Sequence, residues 1–348
     1  MDGAEWIETL LADLPATEAS DLILEPQDDG SLVAKVRCQG LCRELRRCPP
    51  GIGKVAIARL KAIAGLPAYI TEQPQDGRID GAPFGIDGDC RFAVLPTVRG
   101  GRVALRLPAL GALPEPQELG LPTAVLDALR AQVRSADGLV LLTGPTGSGK
   151  TTTIHSLLRE LANERVDRQI LTIEDPVERL LPGIAQVEVR AHRGDDFAGT
   201  LRAALRQDVD VIVVGEIRDQ DTALTAVQAA LCGHMVIATM HTGRAREAVP
   251  RLLSMGVADH LLLPALRGVL SQRLVRLIHE PCRGEGCGDC VGGYRGRQVI
   301  CDYISCTGAD PIALKNGAAV EQATMEQQIE ELVASRRTHD DERLRVLA

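Results

Sequence analysis

Aromatic side chains are almost missing from this 348-residue chain: one tryptophan, three tyrosines and three phenylalanines, scattered at Trp6, Tyr69, Phe84, Phe92, Phe197, Tyr294 and Tyr303. Without rows of aromatic platforms, it is not built to stack the bases of a single-stranded nucleic acid. Long apolar runs are also missing. None approaches the roughly 18–20 residues that cross a bilayer. Met1–Leu14 carries Asp2, Glu5, Glu8 and Asp13 where an export signal would be basic, so a cytoplasmic location is expected. Nor is there an excess of positive charge: 39 Lys and Arg against 47 Asp and Glu leave a net −8, which argues against nucleic acid as a partner. Ten cysteines in such a chain read as reduced thiols or metal ligands, not as a disulfide framework.

What is present describes a globular protein. Hydrophobic residues make up 45% and charged residues 25%, and this length suggests two domains. Glu5–Leu14 and Ile52–Ala64 have helical spacing, whereas Asp21–Glu25, Leu32–Arg37, Leu41–Leu45, Arg78–Ile79, Cys90–Leu95 and Val103–Leu107 read as strands. Residues 1–108 are therefore expected to form a small α+β domain. The Pro- and Gly-rich stretch 109–121 reads as a linker. In 122–348, apolar strands Leu139–Thr143, Ile170–Ile173, Val211–Val214 and Met235–Thr239 alternate with helical stretches, the pattern of an α/β parallel sheet covered on both faces. The tail beyond Ile304 is polar and helical, with Met325–Ala334 its best segment.

Directly after Leu139–Thr143 comes Gly144-Pro145-Thr146-Gly147-Ser148-Gly149-Lys150-Thr151, the full G-x-x-x-x-G-K-T phosphate loop, with a helix expected from about Thr152. Glycines let backbone N–H groups converge on phosphate, Lys150 reaches the β and γ oxygens, and Thr151 offers a hydroxyl to Mg²⁺. The guanine-reading Asn-Lys-x-Asp is absent from the sequence, which favours ATP. Two later strands end in acids, at Glu174-Asp175-Pro176-Val177-Glu178 and at Gly215-Glu216-Ile217-Arg218-Asp219. Strand C-termini are where such sheets bind ligands, and a carboxylate there orders metal-bound water or accepts its proton. Glu216 and Glu174 are the candidates, and spacing does not choose between them. His241 stands at the end of Met235–Thr239, where it either senses the γ-phosphate or packs as a structural histidine.

These blocks resemble the ATPases that power type II secretion and type IV pilus assembly, over residues 19 to 303. Gly144–Thr153, Thr152 included, resembles the Walker A motif, Glu174–Glu178 the aspartate box, Asp210–Asp219 the Walker B segment and Ala238–Thr242 the histidine box. Pro74-Gln75-Asp76-Gly77-Arg78 and Gln272-Arg273-Leu274-Val275-Arg276 also match family blocks, and Pro-Gln-Asp-Gly-Arg is in the style of the type II assembly-side branch. Departures are Gly243 for the family's Asn, Val209 for its Pro and Ile23 for its His.

The resemblance implies a RecA-like P-loop core and a homohexamer working on an inner-membrane platform protein from the inner face of the cytoplasmic membrane. It also implies ATP bound between the P-loop domain and its flanking domain, with Arg91, Arg102 and Arg106 as candidate arginine fingers. Those three read equally well as surface salt-bridge arginines. A DNA-translocating motor and a non-hydrolysing, nucleotide-gated scaffold are the rival readings. Finally, His279-x-x-Cys282 and Cys287-x-x-Cys290 stand where the family often carries paired Cys-x-x-Cys motifs. One imidazole and three thiolates suit tetrahedral Zn²⁺, the alternative being a shortened loop that has lost its metal.

Overall fold

The computed structural model describes residues 2–108, 111–165, 167–189 and 194–347, so positions 109 and 110 of the expected linker lie outside the described residues. The chain forms two compact units, one of Met1–Ala112 with His279–Arg295, the other of Leu113–Ile278 with Gly296–Ala348.

The first unit is a six-stranded antiparallel sheet of β1 (Asp21–Pro26), β2 (Leu32–Cys38), β3 (Leu41–Arg47), β4 (Gln75–Asp80), β5 (Asp89–Thr97) and β6 (Gly100–Arg106), in the order β3-β2-β1-β6-β5-β4. Helices α1 (Gly3–Asp13) and α2 (Gly53–Ile63) supply its core. Trp6, Ile7, Leu10 and Leu11 of α1 cluster with Ala56 and Leu60 of α2 and with strand residues Leu22, Leu24, Phe92 and Leu105. Asp2 starts α1 by accepting from the N–H groups of Ala4 and Glu5, both at 2.9 Å. The two helices touch at Gly3, where a β-carbon would lie 2.6 Å from the Ile52 carbonyl oxygen. Because side chains alternate across a strand, the opposite face collects the polar positions. There Arg37, Asp21, Arg106, Arg91 and Arg78 are register neighbours in one row across β2, β1, β6, β5 and β4.

The second unit is a seven-stranded sheet of β7 (Gly138–Thr143), β8 (Ile170–Glu174), β9 (Ala185–Glu188), β10 (Val211–Val214), β11 (Met235–Met240), β12 (Leu266–Ile278) and β13 (Tyr294–Ser305), ordered β13-β12-β7-β11-β10-β8-β9. All pairings from β12 to β9 are parallel. Helices α3 (Thr123–Val133) and α4 (Lys150–Glu164) pack on one face with Val140, Leu142, Val211, Val213 and Ile237. The other face, with Leu139, Leu141, Ile212, Val214 and Val236, is covered by α5 (Phe197–Ala204), α6 (Gln220–Leu231), α7 (Ala248–Ser254) and α8 (Asp259–Ala265). Burial on both sides explains why these strands are continuous apolar runs. The chain ends in α9 (Pro311–Lys315), α10 (Met325–Ala334) and α11 (Asp340–Leu347). Among the described residues no helix is long and apolar enough to cross a membrane.

Candidate active site and metal cluster

The parallel order places the ends of β7, β11, β10 and β8 side by side, so the loops that follow them share one edge of the sheet. The loop after β7 turns sharply at Gly144, whose φ is 135° and whose β-carbon, if it had one, would sit 2.4 Å from the Gln272 carbonyl oxygen. Only glycine fits there. Gly149 (φ 91°) then caps α4, which begins at Lys150, two residues earlier than expected. Lys150 is 9% exposed and donates from Nζ to the carbonyl oxygens of Gly144 (2.7 Å) and Pro145 (3.0 Å). Burial pushes its pKa down, the Glu216 carboxylate opposes that, and the Arg273 guanidinium adds to it. Ser148 Oγ, Thr143 Oγ1 and Thr153 Oγ1 are buried around the loop with no hydrogen-bond partner among the described residues. Unpaired buried hydroxyls beside a charged lysine and a helix N-terminus fit a polyanion that brings its own acceptors. Thr151 is half-buried on the first turn of α4, whereas Thr146, Gly147 and Thr152 face outward.

His241, after β11, stands between the phosphate loop and the acid after β10. Its Nε2 lies 2.9 Å from Glu216 Oε1 and its Nδ1 lies 3.2 Å from the Gly144 carbonyl oxygen. Both ring nitrogens thus face oxygen atoms of the site. Arg218 holds the other Glu216 oxygen at 2.6 Å. The Glu216 loop is pinned in turn, since Thr239 Oγ1 donates to the Gly215 carbonyl oxygen (2.5 Å) and Ile217 N–H to that of Thr239 (2.9 Å).

Glu174, at the end of β8, is engaged below the rim. It is 6% exposed and lies 3.2 Å from His155 Nε2, while Thr172 Oγ1 and Gln186 Nε2 donate to its Oε1 at 2.6 and 3.0 Å. Burial would raise its pKa, but His155, Thr172 and Gln186 outweigh that and hold the carboxyl below the usual carboxylate range. His155 escaped the sequence reading. Its signal is a polar side chain on the apolar face of α4, among Ile154, Leu157 and Leu158. Gln272, which reaches from β12 to donate to the Ser148 carbonyl oxygen at 2.7 Å, was visible only as part of a family block.

In the first unit, Arg106 lies 3.1 Å from Asp21 and Arg102 3.8 Å from Glu25, while Arg91 is flanked in register by Arg106 and Arg78. Arg91 and Arg106 thus share a row, and Arg102 comes four residues before Arg106 in β6.

The same unit carries the cluster of His279, Cys282, Cys287 and Cys290, whose ligand atoms all lie within 4.8 Å of one another. His279 Nδ1 is 3.5 and 3.4 Å from the sulfurs of Cys282 and Cys287, and Cys290 Sγ is 3.8 and 3.7 Å from the same two. Zn–S bonds of about 2.3 Å and a Zn–N bond of about 2.0–2.1 Å define a tetrahedron with S···S edges of about 3.8 Å and N···S edges of about 3.5 Å. The donor set therefore fits a closed four-ligand metal site. Val291, one residue past Cys290, packs on the core of that unit.

Comparison with known proteins shows the family to which the chain belongs. The chain is 43% identical over 313 residues to the type II secretion system protein HxcR of Pseudomonas aeruginosa, covering 86% of this chain and 66% of that protein. It is 38% identical over 329 residues to the type IV pilus assembly ATPase PilB of Thermus thermophilus, covering 86% of this chain and 37% of that one. The chain thus spans two thirds or less of these relatives' length. The crystal structure of the pilus retraction motor PilT with bound ADP is similar at a TM-score of 0.65 and 27% identity, covering 94% of this chain and 90% of that one. With the family model described as Type II/IV secretion system protein matching residues 4–345, this chain belongs to that family.

Proposed function

We propose that this chain is a Mg²⁺-dependent ATPase that drives type II secretion or type IV pilus assembly. The observation that carries the proposal is the convergence of Lys150, Glu216 and His241 at the ends of three adjacent parallel strands, with His241 bridging the carboxylate and the phosphate loop. The backbone N–H groups of Gly147–Thr151 hold the phosphates, and Lys150 exchanges the carbonyls of Gly144 and Pro145 for phosphate oxygens. Thr151 is the metal-holding hydroxyl, and bound Mg²⁺ supplies neutralisation of phosphate charge. Glu216 orients the attacking water and accepts its proton at the carboxylate. His241, held by Glu216 on one side, donates toward the terminal phosphate on the other. Glu174 and His155 set the floor beneath this pair. Arg91, Arg106 and Arg102 give residues 1–108 anion-binding groups of their own.

By family likeness the working form is a homohexamer at the inner face of the cytoplasmic membrane, acting on a platform protein, with nucleic acid taking no part. The Cys282, Cys287, Cys290 and His279 cluster holds structural Zn²⁺. Steady-state phosphate release tests the central claim: it vanishes in Lys150→Ala and Glu216→Gln if the reading is right. Turnover that persists in both overturns it.

A further inference from the structure

Among the described residues, one guanidinium beside the phosphate loop has no hydrogen-bond partner. Arg273 lies on β12, two residues beyond Ser271, whose register neighbour is Thr143 at the end of β7. It is therefore level with the phosphate loop. Strand alternation sends Ser271 and Arg273 to one side and Gln272 to the other. Ser271 Oγ donates to the Gly243 carbonyl oxygen at 3.0 Å, and Arg273 Nη2 is 3.6 Å from where a β-carbon on Gly243 would stand. Gly243 follows His241 by two residues, so the guanidinium borders the same site.

Among the described residues the Arg273 side chain makes no hydrogen bond or ion pair, and its Nε is buried without an acceptor. The carboxylates around it are taken. Asp302 and Glu326 bind Arg244 at 2.6 and 2.7 Å, and Glu247 accepts the N–H groups of Gly243 and Arg244 at 2.9 and 3.1 Å. Burial and the neighbouring Arg244 charge push the Arg273 pKa down against the pull of the Asp302 and Glu247 carboxylates, and Arg273 in turn pushes Lys150 down. A buried donor without an acceptor, beside a second cation, weakens the fold unless an anion joins them.

We infer that Arg273 is an oxyanion-binding residue of the phosphate-loop site, donating to an oxygen of the terminal phosphate of a bound nucleoside triphosphate. The inference rests on the nucleotide reading above and adds to it a residue from outside the loop and the acidic strands. A planar guanidinium suits this better than another ammonium, since it presents its donors as a fork.

Equilibrium binding of the non-hydrolysable analogue AMPPNP and of ADP, each with Mg²⁺, tests it on the full chain, comparing wild type with Arg273→Met, Arg273→Lys and Lys150→Ala. Loss of a charge-assisted contact to the terminal phosphate predicts about a 10-fold or greater weakening of AMPPNP in Arg273→Met, with ADP changed less than about 2-fold and Arg273→Lys intermediate. The melting temperature of nucleotide-free Arg273→Met stays equal to or above that of wild type, because an orphaned donor is removed; a structural arginine would lower it. Unchanged AMPPNP binding in Arg273→Met overturns the inference, as does equal weakening of both nucleotides with a lower melting temperature. If AMPPNP binding is lost in Lys150→Ala but kept in Arg273→Met, only this inference fails. If wild type binds no AMPPNP, the nucleotide reading fails with it.

Discussion

Replacing Glu342 by Gln removes a charge on which the C-terminal helix depends. Glu342, in α11, is fully buried, yet it meets two arginines: Arg276 of β12, which is 11% exposed, and Arg345 one turn along its own helix at 2.6 Å. The Arg276 backbone N–H also donates to it, at 2.9 Å. Burial opposes ionisation, but the hydrogen bonds from Arg345 and Arg276 win and bring the carboxyl from its ordinary 4.5 to about 2. A carboxyl depressed in the folded state stabilises it fully above the unfolded pKa and progressively less as pH falls toward the folded one.

At about 1.36 kcal/mol per pKa unit this contributes about 3 kcal/mol at pH 7, of which roughly 2 kcal/mol is gone by pH 3. Arg345 is 45% exposed, so solvent screens its share, and Arg345→Ala should cost under about 1 kcal/mol. Urea unfolding of wild type and Glu342→Gln at both pH values measures the difference. The gap should narrow by roughly 2 kcal/mol on acidification. A gap that is constant from pH 7 to pH 3 would refute the argument, because it would mean that the Glu342 side chain acts by shape alone.

Other consequences can be checked directly. In Glu216→Gln, phosphate release should fall by about 10²–10⁴-fold while nucleotide binding, followed by fluorescence of a labelled analogue, persists. Gly144→Ala should abolish that binding, since its β-carbon would meet the Gln272 carbonyl oxygen, and should lower the melting temperature. Asp302→Ala leaves Arg244 without one of its two carboxylates and should cost about 3–5 kcal/mol in urea unfolding. Thiol titration of zinc-loaded protein should show fast reaction at the exposed Cys42 and Cys232, with Cys282, Cys287 and Cys290 joining only after chelation.

Much of the parallel sheet was legible because its strands carry their environment in their composition. Val211–Val214 is buried on both faces and is bounded as expected, and Met325–Ala334 is a helix from its first residue to its last. The strands β12 and β13 were not legible. Arg267, Arg273 and Arg276 interrupt β12, and the partners of Arg267 and Arg276, Asp137 and Glu342, lie far away in sequence, so no period marks these positions as sheet. The same reason hid His155 behind Glu174, and the whole group of Arg244, Asp302 and Glu326, whose members become neighbours only after folding. The phosphate loop needed no partner to be found, because strand, glycines, lysine and helix are contiguous. The metal cluster was equally local, all four donors falling within twelve residues.

The row of Arg37, Asp21, Arg106, Arg91 and Arg78 makes the first unit sensitive to electrolyte. Asp21 reaches both Arg37 and Arg106, and Asp89 reaches Arg78, so the charges that tie β1 to β2 and β6, and β5 to β4, lie at the surface, where dissolved ions screen them. This sheet should therefore loosen as salt is added, while the apolar layer on its other face is untouched.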